Sequence, residues 1–216
     1  LLRIHCWFGH ELMAFLAQKL ISASGATEAT DDDFNLVTQL YQFDGTNGAQ
    51  NNTFLDSSSN AFSVTRSGSA TQGTFSPFSA EEGKWSAQFT RSSLHNYIYP
   101  GSSSDFAFGT GDFTIECFCY LTGGADSSGN GLFAPTTGVV GPALGQWNTN
   151  GWQIFHGTSS TNLSNTSYPQ NEWVHVAFVR ASNVVNVYQN GVKVTSDISD
   201  STCLLYTSPS PRDTIR

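Results

Sequence analysis

Trp173-Val-His-Val-Ala-Phe-Val-Arg-Ala-Ser-Asn-Val-Val-Asn-Val-Tyr-Gln-Asn-Gly-Val-Lys-Val-Thr195 is the stretch on which the fold turns. From Trp173 to Val179 both alternating sets of positions are apolar, the pattern of a strand buried on both faces at the centre of a sheet. His175 shares a face with Trp173, Ala177 and Val179, so it reads as a structural histidine rather than a ligand or a base. Asn190-Gly191 separates Val184–Gln189 from Val192–Thr195, and Asn-Gly is the pair a two-residue type I′ hairpin prefers, because both central residues need positive φ.

Working outward, short runs rich in Val, Ile, Phe, Tyr, Trp and Thr alternate with Gly, Ser, Asn and Pro clusters from Thr38 to Thr202. No stretch of comparable length keeps a helical period. Strands are predicted at Gln39–Phe43, Ala61–Arg66, Trp85–Phe89, Tyr97–Tyr99, Asp112–Leu121, Gly151–His156, Trp173–Arg180 and Val184–Gln189. In Phe113–Leu121 the odd positions Phe113, Ile115, Cys117, Cys119 and Leu121 form one apolar face, which turns both cysteines into the core as small hydrophobes. Two cysteines two apart on one strand do not approach disulfide geometry.

The chain has 216 residues, 38% hydrophobic and only 12% charged, with 9 basic against 17 acidic side chains and a net charge of -8. An electrostatic grip on nucleic acid or anionic lipid is therefore not expected. No apolar run approaches the roughly 20 residues of a membrane-spanning helix, so membrane insertion is not expected.

The two ends differ from the middle. Cys203-Leu-Leu-Tyr-Thr-Ser-Pro-Ser-Pro-Arg-Asp213 matches an in-frame translation of a common transposase-type sequencing adaptor, and residues 203–216 are read as an adaptor-derived tail rather than a Pro-rich linker. Residues 1–12, ahead of the only methionine, Met13, are read as upstream read-through. His5, Cys6 and His10 within them lack the second ligand pair of a zinc site. Residues 13–35 read as an N-terminal arm and acidic linker, which leaves 36–202 as the domain.

Phe108-Gly-Thr-Gly-Asp-Phe-Thr-Ile-Glu116, then Glu172-Trp-Val-His-Val-Ala-Phe-Val-Arg180, then Val187-Tyr-Gln-Asn-Gly-Val192 together resemble the laminin G-like branch of the concanavalin A-like lectin/glucanase superfamily. The resemblance implies an all-β, two-sheet antiparallel jelly-roll sandwich of about a dozen strands, with a role in glycan binding or adhesion. Family domains continue past the Asn-Gly hairpin into a final strand ending in a pattern such as Gly-x-Ile-Asp-Glu-x-Arg-Ile. That pattern is missing here, so the jelly roll is expected to lack its closing C-terminal strands. Met13–Ile21 and Asp44–Phe54 further resemble virion and tail-fibre proteins of tailed phages, which implies other virion proteins as partners and a virion-surface or extracellular location.

A retaining glycosidase needs two carboxylates about 5–5.5 Å apart across one bond. The chain has no Glu-x-Asp-x-x-Glu triplet, and Asp112 and Glu116 lie four apart on one strand face, roughly 13 Å at the usual rise. A non-catalytic carbohydrate-binding or adhesion domain is therefore the first expectation, a purely structural or protein-binding virion domain the alternative, and a glycoside hydrolase the weaker third. For ligand binding, Trp147 and Trp152 offer stacking faces while Asn148, Asn150 and His156 offer hydrogen bonds to a glycan or cell-surface polysaccharide, although Trp152 also begins a strand and suits a core. No cofactor is expected. Calcium has only the thin candidates Asp126 and Asn130, one carboxylate for an ion that takes 6 to 8 oxygens.

Overall fold

The computed structural model describes residues 2–8, 34–43, 53–73, 86–89, 96–101, 103–122, 130–134, 141–146, 151–156, 159–163 and 169–204. Their strands are β1 Leu2–Phe8, β2 Gln39–Tyr41, β3 Thr65–Ser67, β4 Thr71–Gly73, β5 Ser86–Phe89, β6 Tyr97–Tyr99, β7 Phe113–Leu121, β8 Asn130–Phe133, β9 Ala143–Gln146, β10 Trp152–His156, β11 Ser159–Leu163, β12 Trp173–Ala181, β13 Val184–Gln189, β14 Val192–Lys193 and β15 Ile198–Ser199. Single 3₁₀ turns occupy Phe34–Leu36 and Ser104–Phe106.

All the pairings are antiparallel. One sheet runs β14-β13-β12-β7-β1-β5-β4, with β15 on β13 and β2 on β1; a second runs β11-β10-β9-β8; β3 and β6 form a two-stranded ribbon. The large sheet is built on β7 and β12, which stay in register from Phe113↔Arg180 to Tyr120↔Trp173. This register puts Val174, Val176 and Phe178 on the same face as Cys119, Cys117 and Ile115, all buried. The second sheet covers that face with Leu132, Leu144, Trp152, Ile154 and Leu163. Between the layers, the Phe133 and Phe178 rings stack at 5.9 Å and the Trp152 indole N–H donates to Gln189 Oε1 at 2.9 Å. Fully burying each Val, Leu, Ile or Phe contributes about 1.5–3 kcal/mol, so these facing side chains are the main stabilising term.

Two tight turns order the centre. Asn190 and Gly191 have φ of 49° and 77°, the type I′ geometry expected from the sequence. A second such turn joins β12 to β13, with Ser182 at 51° and Asn183 at 62°. The Ser182 N–H donates to Asp112 Oδ1 at 2.8 Å, an anchor that helps hold a serine in a region it seldom adopts.

Arg180 is 1% exposed at the end of the core face of β12. Its guanidinium donates through Nε to Gly111 O at 2.8 Å, Nη1 to Thr202 O at 2.9 Å and Nη2 to Gly109 O at 2.7 Å, and lies 4.9 Å from the centre of the Phe113 ring. Asp200, also buried, stands 3.6 Å from Nη1 and receives the Thr202 N–H on Oδ1 at 3.0 Å. These bonds fasten 200–204 onto 109–113, and Leu204, 1% exposed, exchanges both backbone hydrogen bonds with Gly109.

Several elements depart from the sequence reading. Residues 2–8, set outside the domain by that reading, form β1 inside the large sheet, and Leu204, placed in the tail, packs in the core. The strand expected over Gln39–Phe43 ends at Tyr41, and Phe43 takes a φ of 57°. Of Ala61–Arg66 only the end is strand, because Ala61 sits at a φ of 46° in a turn whose backbone is gathered by Asp56. That carboxylate accepts from the N–H groups of Leu40, Ser58 and Phe62 and from the Ser58 hydroxyl.

Candidate functional site

The residues of β7 and β12 that do not face the second sheet form the outer face of the large sheet. The register places Glu116 beside Ala177, Phe118 beside His175 and Tyr120 beside Trp173, and β13 adds Tyr188 next to Ala177. Alternation explains the sorting, since these are the even positions of β7 and the odd positions of β12. Phe118, Tyr120, Trp173 and Tyr188 are half-buried, whereas Glu116 is 5% exposed and His175 8%.

Glu116 Oε2 lies 3.0 Å from His175 Nε2, and the pairing calls for a proton on that nitrogen. The Phe118 ring packs 5.0 Å from the imidazole, and the Tyr120 and Trp173 rings meet edge to face at 5.6 Å. The backbone of His175 is fixed by the hairpin turn. Its N–H donates to Asn190 Oδ1 at 2.9 Å, and its carbonyl accepts from the Asn190 N–H at 2.8 Å. Glu116 Oε1 is buried with no hydrogen-bond partner. Left buried and unsatisfied, that oxygen carries a desolvation cost of about 1–3 kcal/mol. Asp112, the other carboxylate on this side of β7, is engaged by the Ser182 N–H.

The sequence-predicted site is divided by the structure. Trp147, Asn148 and Asn150 lie outside the described residues. Trp152 is 1% exposed and bonded to Gln189, so it is a core residue and offers no stacking face. His156 follows it on the core side of β10, buried, with Nε2 3.1 Å from Thr161 Oγ1 and Nδ1 3.9 Å from Asp200. Of the calcium candidates, Asp126 is outside the described residues and Asn130 opens β8 opposite Gln146. Among the described residues no three His, Cys, Asp or Glu side chains are grouped to hold a metal ion.

Cys117 and Cys119 are free buried thiols. The hydrogen bond with Cys117, followed by burial, pushes the Cys119 thiol well above its usual range, which keeps it protonated and unreactive. The Glu116–His175 pairing was missed in the sequence because it depends on the β7–β12 register across 59 residues, although the opposite-face positions of Glu116 and of His175 were each readable.

The antiparallel sheets packed over one apolar core are consistent with a concanavalin A-like sandwich. A laminin G-type family model, described as concanavalin A-like lectin/glucanases superfamily, matches residues 91–211, and the chain belongs to that family. The match spans β6 to β15 and the Leu204 anchor. No curated protein and no solved structure matches the chain. Among the described residues no helix is long and apolar enough to cross a membrane.

Proposed function

We propose that this chain is a non-catalytic carbohydrate-binding and adhesion domain of a virion surface or tail-fibre protein, directed at a glycan or cell-surface polysaccharide. The observation that carries this reading is the outer face of the large sheet, where Phe118, Tyr120, Trp173 and Tyr188 lie half-buried along β7, β12 and β13. Aromatic rings stack on the apolar faces of sugars. Family membership supports a carbohydrate-binding type of domain. The virion setting is supported by the resemblance of Met13–Ile21 and Asp44–Phe54 to phage virion proteins.

A binding role fits the occupied state of the carboxylates better than hydrolysis does. Glu116 is bound to His175 through one oxygen, and Asp112 is held in a turn, so neither acts as a free partner to the other across one bond. The test is a glycan array probed with the full chain and with Trp173→Ala, Glu116→Gln and Trp147→Ala. Saturable binding lost in Trp173→Ala supports the outer face. Loss in Trp147→Ala alone moves the site to the segment between β9 and β10. Release of oligosaccharide from β-glucans by the wild-type chain, abolished in Glu116→Gln, would overturn the non-catalytic reading.

A further inference from the structure

At its turn end the β12–β13 ladder is completed by a side chain. Gln189 is the final β13 residue in register, opposite Val176. One residue further on, the Asn190 N–H still donates to His175 O at 2.8 Å, but the His175 N–H finds its acceptor in Asn190 Oδ1 at 2.9 Å, where a main-chain carbonyl would otherwise stand. The carboxamide that closes the sheet there belongs to the first residue of the two-residue turn, and Gly191 follows it.

That dipeptide carries its own chemistry. A backbone nitrogen attacks the side-chain carbonyl of the asparagine before it to close a five-membered imide, and glycine leaves the nitrogen unshielded because it has no Cβ. A Cβ built on Gly191 meets nothing within 4 Å, so no neighbour supplies the missing shield. Asn190 and Gly191 are exposed, as are both residues of β14, with Val192 at 66%. A turn held by so few buried contacts opens locally at far less cost than the sheet behind it. In the closed turn the bond to His175 keeps the carboxamide against β12, and releasing that one bond frees it to react.

We propose that Asn190 is a site of spontaneous covalent modification, an isoaspartate-forming turn that reacts through local opening of the β13–β14 tip. The Gly191 nitrogen attacks Asn190 Cγ and a C–N bond forms. The Cγ–Nδ2 bond breaks, and the side-chain nitrogen leaves as ammonia with the proton given up by the Gly191 N–H. Water then opens the imide at either carbonyl, and no other reagent is required. Opening at Cγ yields aspartate, which keeps an oxygen where Oδ1 stood and so retains the acceptor for His175. Opening at the main-chain carbonyl yields isoaspartate, with the chain running through Cγ and one more methylene in a turn that type I′ geometry limits to two residues. The His175 N–H then loses its acceptor, at the residue whose imidazole meets Glu116. The chemistry is independent of the carbohydrate reading.

The test incubates the full chain, under reducing conditions in warm, mildly alkaline buffer, beside a synthetic peptide of residues 184–195. Tryptic cleavage after Arg180 and Lys193 isolates 181–193, which holds a single Asn-Gly pair, and mass spectrometry with fragmentation separates isoaspartate from aspartate there. The folded chain should gain isoaspartate at 190 on the order of tenfold more slowly than the peptide, the factor set by one hydrogen bond. Its rate should change little in urea kept below the unfolding transition, because a local opening exposes little surface. A rate that climbs with urea as steeply as global unfolding overturns the proposal, as does a folded chain still unmodified at 190 after many half-lives of the peptide. The isoaspartyl fraction, separated on an anion exchanger by its added negative charge, should show faster hydrogen exchange at the His175 N–H with Val176 and Phe178 unchanged. Equal exchange at His175 in modified and unmodified chains overturns the link to that residue.

Discussion

Arg180→Ala removes a side chain that joins β12, the turn before β7 and the C-terminal segment in one set of bonds. The guanidinium makes three charge-assisted hydrogen bonds to Gly109, Gly111 and Thr202 and faces Asp200 at 3.6 Å, with both side chains almost fully buried. Each such bond contributes about 1.5–3 kcal/mol, but their sum is not recovered, because the freed carbonyls regain water as residues 200–204 lift off. Removing one partner of a buried pair costs about 3–5 kcal/mol, so about 4 kcal/mol is expected. With a urea slope of about 2–3 kcal/mol per molar, the midpoint falls by roughly 1.3–2 M. Arg180→Met combined with Asp200→Leu, which leaves no charge orphaned, should recover most of the loss. Urea unfolding followed by tryptophan fluorescence measures both, and hydrogen exchange at Gly109 and Leu204 should rise in the single variant. An Arg180→Ala protein within about 1 kcal/mol of wild type, or a double variant weaker than the single one, would refute the reasoning.

Other expectations follow from the same geometry. Trp152→Ala should cost about 3–5 kcal/mol by denaturant melting, a core deletion rather than the loss of a binding contact. Gly191→Ala meets no atom within 4 Å of the new Cβ, so only the positive φ is penalised, and about 1 kcal/mol of destabilisation is expected in the same melt. Mass-mapped alkylation of the native chain should label exposed Cys203 while leaving Cys117 and Cys119 unmodified until unfolding. Lys193, hydrogen-bonded to Asp197, and then Asn186 hold the Asp197 carboxyl below its usual range. A depressed acid contributes stability above its unfolded value and loses it as pH falls through the folded value. The carboxyl resonance should therefore titrate at lower pH than an exposed aspartate, and Lys193→Ala should move it back up.

Much of the central sheet was legible because its signals are local. Phe113–Leu121 alternates, Trp173–Val179 is apolar on both faces, and Asn190-Gly191 names its own turn; all three stand as strands or turn in the structure. The second sheet was legible only at Trp152–His156. β9 is four residues long and β11 reads Ser159-Ser-Thr-Asn-Leu163, a mostly exposed strand at the end of its sheet with little apolar pattern to betray it. The second I′ turn was hidden because serine at position 182 carries no left-handed preference and relies on Asp112, 70 residues away. Arg180 illustrates the same limit. A charged residue ending an apolar strand reads as a solvated edge, and its burial follows from three carbonyls brought together from 109–111 and 202.

The candidate site was legible in pieces. Alternation put Glu116 opposite the core face of β7 and His175 beside Trp173, while their 3.0 Å contact and the unpartnered Oε1 arise only from register. Trp152 carried two signals in one residue, an aromatic next to a polar loop and the first position of a strand, and burial resolves them in favour of the core.

The most direct test of carbohydrate recognition on the outer face is an NMR titration of the tryptophan indole N–H signals of the wild-type chain with a glycan selected on the array. A saturable shift of Trp173 with Trp152 unmoved is the predicted result. Binding that leaves Trp173 unperturbed, or no shift with any saccharide, would contradict the account.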